Sequence, residues 1–122
     1  MRLHFATEII LELAYKHLTG IEKFGAHIAE DKSRIDFIWG ENISKAFPLL
    51  GNEAHDLISA DLPIISDFSD EINERRFWEI GGFAKVSYGG THLRRTEEIG
   101  QLRLKRVNIG KSKKRIEIYL EN

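Results

Sequence analysis

The chain has 122 residues, 42% of them apolar, with two Trp and seven Phe, which is enough for one domain with a core of its own. The absence of cysteine excludes disulfides and any thiolate-ligated metal site and fits a reducing compartment. No apolar run approaches the roughly 18 residues needed to cross a bilayer, and no signal-type segment opens the chain, so it reads as soluble and cytoplasmic. The formal net charge of −1 conceals an asymmetry: residues 1–90 carry 9 Lys+Arg against 15 Asp+Glu, and residues 91–122 carry 9 against 4.

In chain order, the apolar spacing of Ile10, Leu13, Ala14 and Leu18 predicts a helix over about 4–19, with Gly20 as its stop. His17 on this helix reads as a surface group or a partner of the helix C-terminus. Residues 22–39 read as a hairpin, with strands at Lys23–Ala29 and Ser33–Trp39 around the polar turn Glu30-Asp31-Lys32. His27 within it reads as an edge or half-buried histidine with a hydrogen-bond partner. Pro48 and Gly51-Asn52 interrupt a helical region, which predicts short helices at about 42–47 and 53–60, with His55 facing solvent.

Leu62–Phe68 reads as a strand with Pro63 near its start. Ser69-Asp70-Glu71 reads as the N-cap and first turn of a brief helix to Arg75. Arg76–Ile80 and Phe83–Val86 follow as apolar runs around Gly81-Gly82. Of the aromatic pair Phe77 and Trp78, at least one is expected in the core, although aromatic rings beside basic residues also suit base stacking. Gln101–Asn108 and Lys114–Leu120 read as two strands around the turn Gly110-Lys111-Ser112-Lys113. This order predicts an α+β domain, helices packed on one face of a largely antiparallel sheet.

Between the last apolar runs lies Tyr88-Gly89-Gly90-Thr91-His92, followed by Leu93-Arg94-Arg95-Thr96-Glu97-Glu98-Ile99-Gly100. Adjacent glycines let another molecule approach the backbone closely, and a hydroxyl and an imidazole follow at once. At the other end of the chain, His4 and Glu8 are four residues apart, a spacing that stacks two side chains on one helix face. Helices present paired metal ligands in this way. His4, Glu8 and His92 would together make a three-donor set.

These stretches resemble the editing domain of alanyl-tRNA synthetases and its freestanding trans-editing relatives. That family carries a His-x-x-x-His pair on its first helix and a Cys-Gly-Gly-Thr-His loop late in the domain. Here the first is His4-Phe5-Ala6-Thr7-Glu8 and the second Tyr88-Gly89-Gly90-Thr91-His92. The resemblance continues through Gly25–Phe37, Arg76–Ile80, the Thr96-Glu97-Glu98-Ile99-Gly100 stretch and Arg115–Ile118, so residues 1–122 read as one editing-type domain. It implies the two-layer fold shared by threonyl- and alanyl-tRNA synthetase editing domains.

The resemblance implies an aminoacyl-tRNA deacylase that hydrolyses mischarged tRNA(Ala), typically seryl- or glycyl-tRNA(Ala), with zinc as cofactor. His4, Glu8 and His92 are the expected ligands. Glu8 stands where the family has histidine, a workable exchange because carboxylate oxygen binds zinc at about 2.0–2.2 Å. Tyr88 stands where it has cysteine, and a phenol of pKa about 10 is a poor ligand unless the metal deprotonates it. The site has therefore either lost its metal or kept three protein ligands and an open fourth position, the pattern of catalytic zinc; we adopt the second reading. Thr91 and the N–H groups around Gly90 are expected to hold the amino-acid moiety or developing oxyanion, and Tyr88 to occupy the fourth position or donate its hydroxyl to substrate. Arg94, Arg95, Lys111, Lys113 and Lys114 are expected to meet tRNA phosphates. The expected partners are tRNA, with neither membrane nor DNA, and exposed strands leave room for a homodimer. The rival reading is a non-catalytic RNA-binding module whose metal site has degenerated.

Overall fold

The computed structural model describes residues 2–87, 91 and 93–121. Helix α1 (Arg2–His17) opens the chain and buries Leu3, Phe5, Ala6, Ile9, Ile10, Leu13 and Ala14 along one stripe. Gly20, at φ 85°, takes the left-handed conformation that lets the chain leave the helix and start β1. Strands β1 (Glu22–Ile28) and β2 (Ser33–Ile38) form the expected hairpin. A 3-10 turn (Ile43–Ala46) then leads into α2 (Phe47–Ser59).

The two short helices expected between 42 and 60 are thus one 3-10 turn and one continuous helix. Pro48 sits in the first turn of α2, where its missing N–H has no partner to lose. Gly51 and Asn52 continue the helix. His17, read as a surface group or a partner of the helix C-terminus, bonds Glu53 on α2 and ties the two helices together. His55 is exposed, with its Nε2 at 3.3 Å from the Leu102 carbonyl oxygen. His27 lies exposed on β1, which is an edge strand.

A second hairpin follows, β3 (Ile65–Asp70) with β4 (Arg75–Ile80), and β5 (Ala84–Ser87) pairs on the far side of β4. This corrects the helix expected from Ser69 to Arg75. The Asp70 carboxylate accepts from the Asn73 side chain at 2.6 Å and from the Asn73 N–H at 3.3 Å, while Glu74 adopts φ 56°. An aspartate that accepts an N–H three residues on serves a tight turn as well as a helix start. Here the reversal brings Asp70 opposite Arg75, and the segment closes a hairpin. Pro63 lies just before β3 in a single bridge to Arg95.

After a 3-10 turn (Thr96–Ile99), β6 (Gln101–Asn108) and β7 (Lys113–Glu121) complete the first sheet in the order β1-β2-β7-β6, all antiparallel. The second sheet runs β3-β4-β5. Both helices pack on the face of the first sheet that carries Ile35, Phe37, Ile116 and Ile118. The second sheet adds Trp78 and Ile80 to the same core, with the Trp78 ring edge-on to Phe5 at 4.8 Å between centroids. The opposite face of the first sheet is charged. There Asp36 accepts from Arg115 Nε at 2.7 Å and Glu117 from Lys32 Nζ at 3.0 Å. The architecture is α+β, two helices on antiparallel sheets.

Candidate functional site

His4 and Glu8 lie one turn apart on α1, and the helix aligns them as the spacing requires: His4 Nε2 is 3.6 Å from Glu8 Oε1. The histidine is exposed and the glutamate half-buried. Glu8 Oε2 turns inward and accepts the indole N–H of Trp78 at 2.6 Å. Burial pushes the Glu8 carboxyl above its ordinary value, against the opposing pull of His4, the Trp78 N–H and Lys23. Thr7, on the buried side of the same turn, donates to the Leu3 carbonyl at 2.6 Å and shares a 2.5 Å hydrogen bond with Ser33 of β2. That pair pins the start of α1 to the sheet, so His4 is carried on an anchored turn.

A cavity of about 260 Å³ opens beside this turn, lined by His4, Glu8, Lys23, Ile28, Val86 and Ser87 among others. Ser87 ends β5 on the cavity wall. Thr91 is buried, its N–H donating to Ser66 Oγ at 3.2 Å and its Oγ1 accepting the Leu93 N–H at 3.1 Å. Ser66 and Val86 are both register partners of Trp78 on β4. Val86 and Ser66, the residue that seats Thr91, therefore flank on neighbouring strands the residue that holds Glu8. Tyr88, Gly90 and His92 themselves lie outside the described residues.

Two donors 3.6 Å apart on one face compare with about 3.3 Å between ligands of one tetrahedral zinc bonded at about 2.0–2.1 Å. His4 and Glu8 thus fit two ligands of such an ion, with the Trp78 N–H orienting the carboxylate from behind. Among the described residues no three His, Asp or Glu side chains converge. The third expected donor, His92, is not among them.

The expected tRNA-contacting cations do not form one patch. Arg94 and Arg95 are exposed and precede the 3-10 turn that packs against α1. Arg95 pairs with Asp61, Nε to Oδ2 at 2.9 Å. Glu98 accepts the N–H groups of both Arg94 and Arg95, at 2.6 and 2.7 Å, which holds this corner rigid and draws the Glu98 carboxyl below its ordinary value. Lys111 and Lys113 are exposed beyond the other end of β6, a strand of eight residues and about 26 Å. Lys113 lies over the Phe24 ring at 5.4 Å. Lys114 is buried, its Nζ donating to the carbonyls of Gly110 and Lys111 at 3.2 and 2.7 Å, so its charge is committed to the turn.

Two residues build the site in ways the sequence reading did not foresee: Trp78, read as a core or base-stacking ring, and Ser66, which was not singled out. Alternation along β4 marks Trp78 for the core, but its donor function depends on α1, 70 residues away.

No protein-family profile matches the chain. Individual proteins do. The alanyl-tRNA editing protein AlaX-M of Methanosarcina acetivorans is 31% identical over 95% of this chain and 56% of its own length. The protein of the same name from Methanosarcina barkeri is 32% identical over the same shares. The alanine–tRNA ligase of Korarchaeum cryptofilum is 30% identical over 85% of this chain, which corresponds to 14% of the ligase. Fold and relatives together define an editing domain of the type found in alanyl-tRNA synthetase. The chain belongs to the alanyl-tRNA editing family and spans about half the length of the AlaX-M relatives it matches.

Proposed function

We propose that this domain is a cytoplasmic aminoacyl-tRNA deacylase that clears mischarged tRNA(Ala), with seryl- or glycyl-tRNA(Ala) as substrate. The observation that carries the reading is the facing pair His4 and Glu8 at the mouth of a cavity whose wall leads into the Gly-Gly-Thr-His segment. The reaction adds water across the ester carbonyl, breaks the bond to the ribose oxygen and returns a proton to it, releasing the amino acid and uncharged tRNA.

His4, Glu8 and His92 would hold zinc, which when bound supplies a Lewis acid and lowers the pKa of a coordinated water. Thr91, Gly90 and Tyr88 are assigned to the amino-acid moiety and the developing oxyanion. The buried seat of Thr91 supports this, because a donor that is already oriented costs no reorganisation during the reaction. Arg94 and Arg95 are assigned to phosphates near the 3′ end, and Lys111 and Lys113 to phosphates farther along the acceptor arm. Lys114 contributes by bracing the turn that presents them.

The test is direct. The protein is incubated with seryl-, glycyl- and alanyl-tRNA(Ala) and ester loss is followed, beside the His4→Ala/His92→Ala variant. Faster loss of the seryl or glycyl ester than of the alanyl ester, abolished in the variant, is the expected result. Equal, slow loss in wild type and variant refutes the assignment.

A further inference from the structure

We propose that Ser66 and Trp78 act as a positioning pair that holds the helix half and the loop half of the site together, and that a carboxylate at position 8 is the partner this pair requires. The inference deepens the deacylase reading and rests on it for its catalytic consequence. Register places Ser66 directly opposite Trp78 on neighbouring strands. Directly opposed residues have Cβ atoms about 4.5–5.5 Å apart on one face of the sheet. From that single rung, the indole N–H reaches Glu8 Oε2 on α1 at 2.6 Å, and Ser66 Oγ receives the Thr91 N–H at 3.2 Å.

Both members are themselves held. Trp78 is fully buried with its ring against Phe5, so the indole cannot swing away without opening the core. Ser66 Oγ also accepts from Arg76 Nη2 at 3.2 Å, and the Arg76 guanidinium lies over the Phe68 ring at 5.5 Å. Arg76 is two residues before Trp78 on β4, so both side chains stand on the same face.

The chemistry of the donor explains the acid. An indole N–H donates and never accepts. A carboxylate has two oxygens, and here Oε2 takes the indole while Oε1 faces His4. An imidazole at position 8 that turned one nitrogen toward His4 and a shared ion would carry its proton on the other. Any such proton aimed at Trp78 would set donor against donor. Glu8 and Trp78 are therefore matched, and a histidine at position 8 leaves the indole N–H without an acceptor.

The test titrates zinc into metal-free wild type and the variants W78F, E8H, E8H/W78F, S66A and S66T. Thr91 amide exchange is read in the same samples, and the Trp78 indole proton resonance in those that keep Trp78. Loss of an outer partner of a metal ligand typically weakens binding by about 10–100-fold, and W78F should fall in that range. E8H should also bind more weakly, and E8H/W78F should recover affinity relative to E8H. Thr91 amide exchange should accelerate about tenfold or more in S66A and return to the wild-type rate in S66T. On mischarged tRNA, W78F and S66A should lose kcat more than they raise KM.

Unchanged zinc affinity in W78F, with unchanged Thr91 exchange in S66A, overturns the proposal. Should W78F not fold, the indole resonance decides: it must hold its wild-type position in Glu8→Gln, which keeps an oxygen acceptor, and move in Glu8→Leu. The same position in both overturns the pairing. Wild-type protein that neither binds zinc nor cleaves the ester, yet shows the resonance and exchange effects, refutes the deacylase reading and leaves the positioning pair standing.

Discussion

Thr96 is fully buried, and its hydroxyl ties the last turn of α2 to the segment that follows the helix. It accepts the Leu62 N–H at 2.8 Å and donates to the Leu57 carbonyl at 2.5 Å, while its own N–H donates to Leu62 O at 2.9 Å. Thr96→Val keeps the shape and removes the hydroxyl, leaving a half-buried N–H without a partner. We expect a loss of about 2 kcal/mol in urea unfolding; a loss below about 0.5 kcal/mol would show that water satisfies that N–H. Glu117 makes a second case. The Lys32 hydrogen bond holds its carboxyl below the ordinary carboxylate value, with desolvation working against it and Tyr119 assisting. A depressed carboxylate stabilises the fold above its unfolded pKa and loses that contribution as pH falls through the folded one. Glu117→Gln should therefore lower Tm at pH 7, and the gap from wild type should close as the pH falls below about 4. A pH-independent gap would place the effect in packing instead. Neither role is visible in the sequence. Thr96 stands there as part of a motif and Glu117 as an alternating strand residue, because their partners are 34, 39 and 85 residues away.

Helix α2 marks the limit of reading elements from punctuation. Proline and a Gly-Asn pair look like breaks, yet a proline in the first turn costs a helix little, and glycine only lowers its stability. A Cβ built on Gly51 meets no atom within 4 Å, and its φ is not positive. Gly51→Ala should accordingly stabilise the protein by about 0.5–1 kcal/mol, measured as a higher urea midpoint at unchanged slope. Destabilisation would mean that a contact outside the described residues fills the space. The Ser69–Arg75 segment failed as a helix for a related reason. An Asx acceptor is shared by helix starts and tight turns, and only the pairing of β3 with β4 selects between them. By contrast α1, the β1–β2 hairpin and the strands 101–108 and 113–121 were readable, because each repeats its own period over many residues.

The whole molecule is a two-helix layer over antiparallel sheet, with one shared core and a charged outer face. Phe37 is fully buried on β2, in the core that both helices cover. Phe37→Ala should cost about 3–5 kcal/mol and lower the unfolding midpoint of the entire domain in one transition. Two transitions would show that the sheets unfold separately. At this scale the two cationic corners also separate. If tRNA spans both, Lys111→Ala/Lys113→Ala should reduce the salt slope of tRNA affinity by about 2, as should Arg94→Ala/Arg95→Ala. An unchanged slope in either variant removes that corner from the interface.

By itself the sequence determined the α+β class, the opening helix, the hairpins on either side of the chain and the facing of His4 and Glu8. Each of these depends on spacing within a turn or a strand, so local period is enough. Only the tertiary structure decided that Trp78 holds Glu8, that Ser66 seats Thr91, that Lys114 is spent on its own turn and that the basic residues lie at two ends. Those facts follow from strand order, register and side-chain burial, which bring together residues 25 and 70 positions apart. A polar atom's partner is settled by what the fold packs beside it, and no spacing along the chain encodes that.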